Sequence, residues 1–315
     1  MKRKLFALLL SGLAIVLLMG AGLDPMVQAV QAANSAQEEL VAPAQEPANQ
    51  IEEVSQSEQE ADAVPAPEVD RILLLDGEPV LKTVGRVTVG GETYVSLKAM
   101  AEHLDPSVNV IWDAETRTAH VTTQTLTLSA TVGKLYIVAN DRYLYLPEGV
   151  QMMDGVMMVG LDALAKAFDA VTGWDAENGT FTVTRGSGAI RSGSEFYDET
   201  SLFWLSRVIF AESGNQVLEG KMAVGNVVMN RVNHPVWPDT VRGVIAQRNQ
   251  FSTWRGGALG NRNPNAESVI AAKLVLDGGV VEEIKDAYFF DAFCNSWALR
   301  NKTVLAVIGG HRFYG

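Results

Sequence analysis

The sequence contains a single cysteine, Cys294, so no intramolecular disulfide bond can stabilise its fold. Histidine is also scarce: there are four, none at metal-ligand spacing from another histidine or from the cysteine, and no His-Glu-x-x-His pattern occurs. We therefore expect no metal site and no cofactor. The folded parts must be stabilised by hydrophobic cores, which a content of 47% hydrophobic residues in 315 allows.

Basic residues are few, with 25 Lys and Arg against 37 Asp and Glu, and the net charge is −12. The imbalance is local. Residues 34–70 hold ten acidic and no basic residues, whereas residues 191–315 hold twelve acidic and thirteen basic residues. No segment has the concentrated basic patch that binds nucleic acid, so nucleic acid is not an expected partner.

Long apolar runs are confined to the N-terminus. Three basic residues at positions 2–4 precede an apolar run from Leu5 to Met19, and small residues follow at Ala32 and Ala33. This order predicts a secretory signal peptide over residues 1–33. A retained membrane anchor is the alternative, although the run is at the short end of the ~20 residues that a span needs. We expect a secreted monomer that contacts a membrane only if this segment is retained.

Residues 34–70 lack aromatic residues and any sustained apolar period, and they contain four prolines. Such a composition cannot bury enough apolar surface to fold, and its like charges repel one another. We predict a disordered acidic linker here.

Residues 71–188 contain an internal repeat. The stretch 90–101 corresponds to 154–165, and the stretch 111–115 corresponds to 173–177. Each copy predicts a glycine turn, a short strand, a helix and then a β-hairpin. The second strands of the hairpins, 118–122 and 180–184, alternate in polarity as half-buried strands do.

This repeat resembles the copper amine oxidase N-terminal-like domain, a small α+β module built from two such units. The resemblance implies no copper, because His103 and His120 show no ligand spacing. Tyr94, Trp112 and Trp174 either form a sugar-stacking platform or pack in the core of the repeat, and we predict that they pack in the core.

A Gly- and Ser-rich linker at 189–200 is followed by a helical pattern that Thr200 or Ser201 caps and Gly214 ends. Its apolar stripe comprises Leu202, Leu205, Val208 and Ile209. Glu212 falls in this stripe, where burial and the helix C-terminus both raise the pKa of a carboxyl group. A carboxylic acid that keeps its proton near neutral pH is suited to general acid catalysis. Periodicity alone leaves open the alternative that Glu212 lies at a frayed helix end in solvent.

A second helix is predicted over 217–232, a further helix over 266–279 and a buried strand over 287–290. One face of the second helix carries Glu219, Ala223, Asn226 and Asn230. Asparagine side chains both donate and accept hydrogen bonds, as sugar hydroxyls require, so this face either lines a saccharide cleft or is an ordinary solvated face.

The C-terminal part resembles the SleB-type cell-wall hydrolase family, which includes the spore-cortex-lytic enzymes. The motifs that carry the resemblance are Ala211-Glu212, Glu219-Gly220, Asn230-Arg231-Val232, Gln250-Phe251-Ser252, Pro264-Asn265, Leu276-Asp277-Gly278, Tyr288-Phe289-Phe290 and Gly310-His311-Arg312-Phe313-Tyr314. It implies a helix-rich α+β domain over 201–315, related to lysozyme-like transglycosylases. Such a domain would cleave the MurNAc–GlcNAc bond of peptidoglycan glycan strands as a lytic transglycosylase.

The resemblance also assigns roles to residues. The catalytic glutamate of the family corresponds to Glu212, and Glu219 is the nearest second acid for stabilising the transition state or positioning water. Gln216 stands where family members often carry another acid. The predicted substrate-binding residues are Asn226, Asn230, Phe251, His311 and Tyr314.

Two other functions stay open at this stage. Cys294 and His311 supply the residue types of an activated thiol, which predicts an amidase or peptidase acting on wall peptides. A non-catalytic wall-binding protein is the second alternative. In each case we expect a secreted protein, extracellular or associated with the cell wall or the spore cortex.

Overall fold

The structure, a computed structural model, describes residues 69–315. The predicted signal peptide, and all but the last two residues of the predicted acidic linker, lie outside the described residues. Over residues 69–315, no helix is both long enough and apolar enough to cross a membrane.

The first part of the described chain, which we call the repeat module, is mostly β-structure. Its elements are β1 Val69–Leu75, β2 Glu78–Leu81, β3 Val87–Val89, β4 Glu92–Ser96, α1 Leu97–Leu104, β5 Asn109–Asp113, β6 Thr118–Thr122, β7 Thr127–Thr131, β8 Tyr136–Ala139, β9 Arg142–Tyr145, β10 Gln151–Met153, β11 Val156–Gly160, α2 Leu161–Ala167, β12 Val171–Asp175 and β13 Thr180–Thr184. They form three sheets with strand orders β12-β13-β1-β2, β10-β11-β4-β3 and β5-β6-β7-β8-β9. Strands β6 and β13 are the half-buried hairpin strands predicted from alternation.

The two copies of the repeat meet along equivalent strands. Strands β4 and β11 pair antiparallel, with Val95 opposite Val159 and Tyr94 opposite Gly160. Each hairpin turn is stabilised in the same way, since Asp113 accepts from the Glu115 amide at 2.9 Å and Asp175 accepts from the Glu177 amide at 3.0 Å. The duplication seen in the sequence is therefore a duplication of structure.

The prediction that all three repeat aromatics lie in the core is correct for Tyr94 and wrong for Trp112 and Trp174. Tyr94 is fully buried and donates from its hydroxyl to the Gly149 carbonyl at 3.0 Å. Trp112 is 46% exposed and Trp174 is 56% exposed. Both tryptophans lie on edge strands, β5 and β12, where one flank of the sheet has no neighbouring strand to cover them.

The second part, which we call the hydrolase module after the family that its motifs resemble, is mostly helical. Its elements are α3 Gly193–Phe196, α4 Glu199–Ser213, α5 Leu218–Val232, α6 Val241–Ala246, α7 Ala266–Leu276, β14 Phe289–Asp291, α8 Trp297–Asn301, β15 Val304–Ile308 and β16 His311–Tyr314, with the strands in the order β14-β16-β15. Helix α4 begins two residues earlier than predicted, because Asp198 caps it by accepting from the Ser201 amide at 2.7 Å. Together the two modules confirm the predicted α+β class.

Helices α4, α5 and α7 pack closely around Gly225. A Cβ atom at this position would lie only 3.0 Å from the Ile209 side chain and 3.1 Å from the Val275 side chain. Glycine therefore lets α5 approach both neighbouring helices, including α4, which carries Glu212.

The two modules are joined by a buried ionic cluster around Asp277, the residue that follows α7. Arg142 on β9 donates two hydrogen bonds to the carboxylate, at 2.7 and 2.8 Å, and the Lys166 ammonium group on α2 lies 2.7 Å from it. Tyr197 donates a further hydrogen bond from its hydroxyl at 3.2 Å. Burial raises the pKa of Asp277, but the hydrogen bonds from Arg142 and Lys166 outweigh it and hold the pKa below its usual range.

Apolar contacts extend this interface. Tyr136, Tyr143 and Tyr145, from β8 and β9, pack against the hydrophobic core of the hydrolase module. The segment predicted as a linker, 189–200, is packed between the modules: Ile190 is buried, and the Tyr197 hydroxyl accepts from the Tyr143 amide at 3.0 Å. The repeat module thus covers apolar surface that the hydrolase module would otherwise expose.

We predict that Asp277→Asn lowers the free energy of unfolding by roughly 3–5 kcal/mol, because it leaves the buried Arg142 guanidinium without a counter-charge. Because the pKa of Asp277 is depressed in the fold, its stabilisation is complete above the unfolded value of about 3.9 and is lost as the pH falls through the lower folded value. Urea denaturation of the full chain between pH 7 and pH 3 measures both effects.

The matched control is Glu282→Gln, which removes the exposed ion pair with Lys285. We expect it to change the unfolding free energy little, since solvent screens exposed pairs. Equal effects of the two substitutions would contradict a special role for the Asp277 cluster.

Candidate active site

An open cleft of about 810 Å³ lies on the hydrolase module. One side is formed by the end of α4 and the loop of residues 249–252. The rest is formed by strand β14, the segment 292–298 that follows it, and the first residue of β16. The lining residues are Glu212, Arg231, Asn249, Gln250, Phe251, Ser252, Phe289, Phe290, Asp291, Ala292, Cys294, Ser296, Trp297, Ala298 and His311. Three of the predicted site residues, Glu212, Phe251 and His311, are therefore brought together.

Glu212 occupies the next-to-last position of α4, and its carboxyl group reaches the cleft. The helix is fixed there because Leu205, Val208 and Ile209 are fully buried on its inner face. The Thr253 hydroxyl donates to the Glu212 Oε1 atom at 2.6 Å. Burial raises the pKa of Glu212, and the hydrogen bond from Thr253 opposes but does not cancel this shift. The carboxyl group is thus half-buried and biased toward its protonated form.

His311 lies beside Glu212 at the floor of the cleft and is only 4% exposed. Its ring contacts Phe290 and Phe313, with centroid distances of 5.6 and 6.3 Å. Burial lowers the pKa of His311, and a hydrogen bond to the Glu212 backbone carbonyl partly offsets this. The imidazole is therefore neutral at neutral pH and holds the backbone of the catalytic candidate.

Arg231 fixes the loop that carries Thr253. Its guanidinium donates to the Tyr288 carbonyl at 2.7 Å and to the Gln250 side-chain oxygen at 3.0 Å. Burial lowers the pKa of Arg231 to about 10. Since Gln250 lies three residues before Thr253, this contact orders the loop that supplies the hydroxyl to Glu212. Arg231, Gln250 and Thr253 were missed as site residues, although the first two belong to motifs visible in the sequence.

The two asparagines predicted to bind substrate do not line the cleft. Asn226 is 2% exposed, donates to the Gly279 carbonyl at 2.8 Å and accepts from the Val281 amide at 3.0 Å. Asn230 donates to the Ala287 carbonyl at 2.9 Å. Both amides instead donate to backbone carbonyls of the neighbouring loop, so the structure does not bring these two asparagines to the cleft.

Glu219 and Tyr314 are also placed elsewhere. Glu219 lies in the first turn of α5, and its negative charge adds to burial in raising the pKa of Tyr145 on β9 of the repeat module. Tyr314 is fully buried and donates from its hydroxyl to Asp291 at 2.6 Å. Neither residue lines the cleft, so the structure does not bring together the predicted second acid and this predicted sugar contact with Glu212.

Asp291 is the other carboxylate that lines the cleft, and its oxygens are already occupied. It accepts from the Ser296 and Tyr314 hydroxyls, each at 2.6 Å, and from the Arg312 guanidinium at 2.9 Å. Burial raises the pKa of Asp291, but these hydrogen bonds outweigh it and hold the pKa below its usual range. Glu212 is thus the one cleft carboxyl of residues 69–315 that keeps a raised pKa.

Metal ligation finds no support in the described part of the chain. No group of three or more His, Cys, Asp or Glu side chains between residues 69 and 315 is placed to hold a metal ion. In the repeat module, burial lowers the pKa of His103, whose Nε2 atom accepts from the Leu81 amide at 3.4 Å, and His120 is exposed. These residues do not fit a copper site.

We predict that Thr253→Val raises the pKa of Glu212 further, because it removes a hydrogen bond that stabilises the carboxylate. Thr253→Ser keeps the hydroxyl and should leave the pKa close to that of the parent. Carboxyl carbon chemical shifts of glutamate-labelled protein, followed across pH, measure the value directly. An unchanged or lowered pKa in Thr253→Val would show that the hydroxyl does not act on Glu212.

Comparison with known proteins identifies both modules. Residues 215–314 match the model of the Cell Wall Hydrolase family, with Glu212 just before the first matched residue. Residues 74–183 match the model of the Copper amine oxidase N-terminal domain. A spore cortex-lytic enzyme of Oceanobacillus iheyensis is 30% identical over 63 residues, which are 20% of this chain. The match spans 23% of the length of that relative.

Two solved structures are also similar to the chain. The catalytic domain of the Bacillus cereus SleB protein is 23% identical, with a TM-score of 0.35, over 38% of this chain and 92% of that one. The catalytic domain of the germination-specific lytic transglycosylase SleB from Bacillus anthracis is 23% identical, with a TM-score of 0.35, over 40% of this chain and 100% of that one. The family matches confirm both resemblances seen in the motifs: the chain carries a cell wall hydrolase domain at its C-terminal end, preceded by a copper amine oxidase N-terminal domain.

Proposed function

We propose that this protein is a peptidoglycan glycosidase whose general acid is Glu212. The observation that carries the proposal is a half-buried carboxyl group with a raised pKa, held by the Thr253 hydroxyl at 2.6 Å, in an open cleft. A carboxylic acid poised in this way can donate a proton to the oxygen of a breaking glycosidic bond.

The cleft favours a reaction that needs a single acid. Glycoside hydrolysis ordinarily uses two carboxylates, about 5–5.5 Å apart for retention and about 6.5–9.5 Å apart for inversion. Here the other cleft carboxylate, Asp291, is held by hydroxyl and guanidinium donors. We therefore favour a lytic transglycosylase that acts on the MurNAc–GlcNAc bond.

In this mechanism Glu212 acts twice. It first gives its proton to the glycosidic oxygen, and the bond between that oxygen and the muramyl C1 atom breaks. The resulting carboxylate then accepts the proton of the muramyl C6 hydroxyl as its oxygen bonds to C1. The products are a glycan with a free hydroxyl and a 1,6-anhydromuramyl end, and Glu212 regains its starting state.

The comparisons support the substrate class. The family model that matches the hydrolase module describes cell wall hydrolases, and the relative from Oceanobacillus iheyensis is named a spore cortex-lytic enzyme. A peptidoglycan substrate requires export, and the predicted signal peptide provides it. We accordingly propose a monomeric secreted enzyme, associated with the cell wall or the spore cortex, that takes glycan strands as its partner.

A thiol peptidase is less consistent with the site. Cys294 and His311 both line the cleft, but the His311 ring is hydrogen-bonded to the Glu212 carbonyl and its Nδ1 atom is buried without a partner among residues 69–315. Neither ring nitrogen is hydrogen-bonded to the thiol, and the imidazole is not placed to activate it.

We predict that the full chain releases anhydro-muropeptides from purified peptidoglycan and that Glu212→Gln lowers this rate by about 10²–10⁴-fold, the usual contribution of a general acid. Mass spectrometry of the soluble products provides the measurement. The matched control is Glu219→Gln, which removes a carboxyl group outside the cleft and should retain activity. Products with reducing ends would indicate hydrolysis instead of transglycosylation. Release of free stem peptides, or full activity of the Glu212→Gln variant, would contradict the proposed glycosidase activity of Glu212.

We also predict that the rate falls as the pH rises through the raised pKa of Glu212, because only the protonated form can donate. Thr253→Val raises that pKa, so it should move this alkaline limb to higher pH, while Thr253→Ser should leave it in place. Initial rates of release measured from pH 4 to pH 9 give the profile. If the rate falls at the same pH in all three proteins, the ionisation of Glu212 does not cause the fall.

A further inference from the structure

A second cavity of about 710 Å³ lies on the repeat module, outside the cleft described above. We call it the first-repeat groove. Its walls include Thr83, Lys98, Glu102, Trp112, Ala119 and Val156. A volume of this order is typical of small-molecule binding sites, which span roughly 300–1,000 Å³.

The duplication supplies an internal comparison for this groove. In the second copy, the equivalent residues line a cavity of about 240 Å³, with Phe181 at the position of Ala119. Trp112 pairs with Ala119 across β5 and β6, whereas Trp174 pairs with Phe181 across β12 and β13, and those two rings lie 4.6 Å apart. The small side chain of Ala119 therefore leaves open the space that Phe181 fills in the other copy.

The same face of the second copy already contacts another module. Lys166, the equivalent of Glu102, forms the ion pair with Asp277, and both line a cavity between the modules. On the corresponding face of the first copy, the side chains of Lys98 and Glu102 are exposed within the structure of residues 69–315. One face of the duplicated unit thus contacts the hydrolase module, and the described residues leave its counterpart accessible to a ligand.

The chemistry of the first-repeat groove favours an uncharged ligand with an apolar face and hydroxyl groups. Trp112 is 46% exposed and Val156 is 43% exposed, which gives a flat apolar wall. The charged groups of the wall, Lys98 and Glu102, lie 3.8 Å apart and neutralise each other. Sugar rings meet this description, because their C–H faces stack on an indole ring while their hydroxyls bond to polar side chains.

We propose that the first-repeat groove binds the sugar rings of a peptidoglycan glycan strand, with Trp112 as the stacking platform; the identity of the strand rests on the proposed function. The Asp277 cluster fixes the groove to the hydrolase module. A polymer that occupies both the groove and the cleft gains affinity from this linkage, because the second contact is intramolecular.

The test uses the full chain carrying Glu212→Gln, so that bound glycan is not cleaved. Its binding to peptide-free glycan strands, prepared from peptidoglycan with an amidase, is measured by equilibrium co-sedimentation. Ala119→Phe, which copies the residue of the second repeat, and Trp112→Ala should each weaken binding about tenfold, the size expected for loss of one central aromatic contact. The matched control, Trp174→Ala, removes a tryptophan that is slightly more exposed and lies outside the groove, and this variant should bind like the parent.

Parental binding by both groove variants, at unchanged melting temperature, would overturn the proposal. So would groove-dependent binding to intact peptidoglycan but not to peptide-free strands, since the occupant would then be a stem peptide. Cleavage by the parent chain is assayed in parallel to separate the two proposals. Groove-dependent binding without any cleavage would contradict only the proposed glycosidase activity. Cleavage without groove-dependent binding would contradict only the proposed glycan site in the groove.

Discussion

The arrangement of the two modules depends on one buried carboxylate. Asp277 follows α7 of the hydrolase module, and its side chain is 1% exposed. Two cations and a hydroxyl reach it from the repeat module and from the segment between the modules, so its charge is compensated only when both modules are folded and docked. Removing the carboxylate would leave the buried Arg142 guanidinium in a low-dielectric site without compensation. For this reason the repeat module helps to stabilise the hydrolase module, on which the cleft lies.

The cleft balances two opposing effects on one carboxyl group. Burial at the end of α4 favours the protonated form of Glu212, and the Thr253 hydroxyl favours the carboxylate. In the proposed mechanism this group gives up a proton and later takes one back, and opposing influences on its pKa suit both steps. Arg231, through Gln250, and His311, through the Glu212 carbonyl, fix the two sides of this arrangement.

Much of the local structure could be predicted from the sequence. The spans of α4 and α5, the hairpin strands β6 and β13, and the internal duplication follow from apolar spacing and repeated motifs, which depend on neighbours only a few residues away. The placement of Glu212 in an apolar stripe also follows from spacing. Asn226 and Asn230 show the limit of this approach: a polar helix face looks the same whether it meets a sugar or a neighbouring loop, and here it meets the loop.

The sequence by itself determined the order of the modules, the long helices α4 and α5 and the residue proposed as the acid, because these rest on local periodicity and short motifs. Only the tertiary structure decided which polar groups are already paired and which face a cavity. Thr253 lies 41 residues from Glu212, and Arg142 lies 135 residues from Asp277. Contacts at such separations leave no periodic trace in one sequence, since many pairs of residues could satisfy the same chemistry and the fold selects among them.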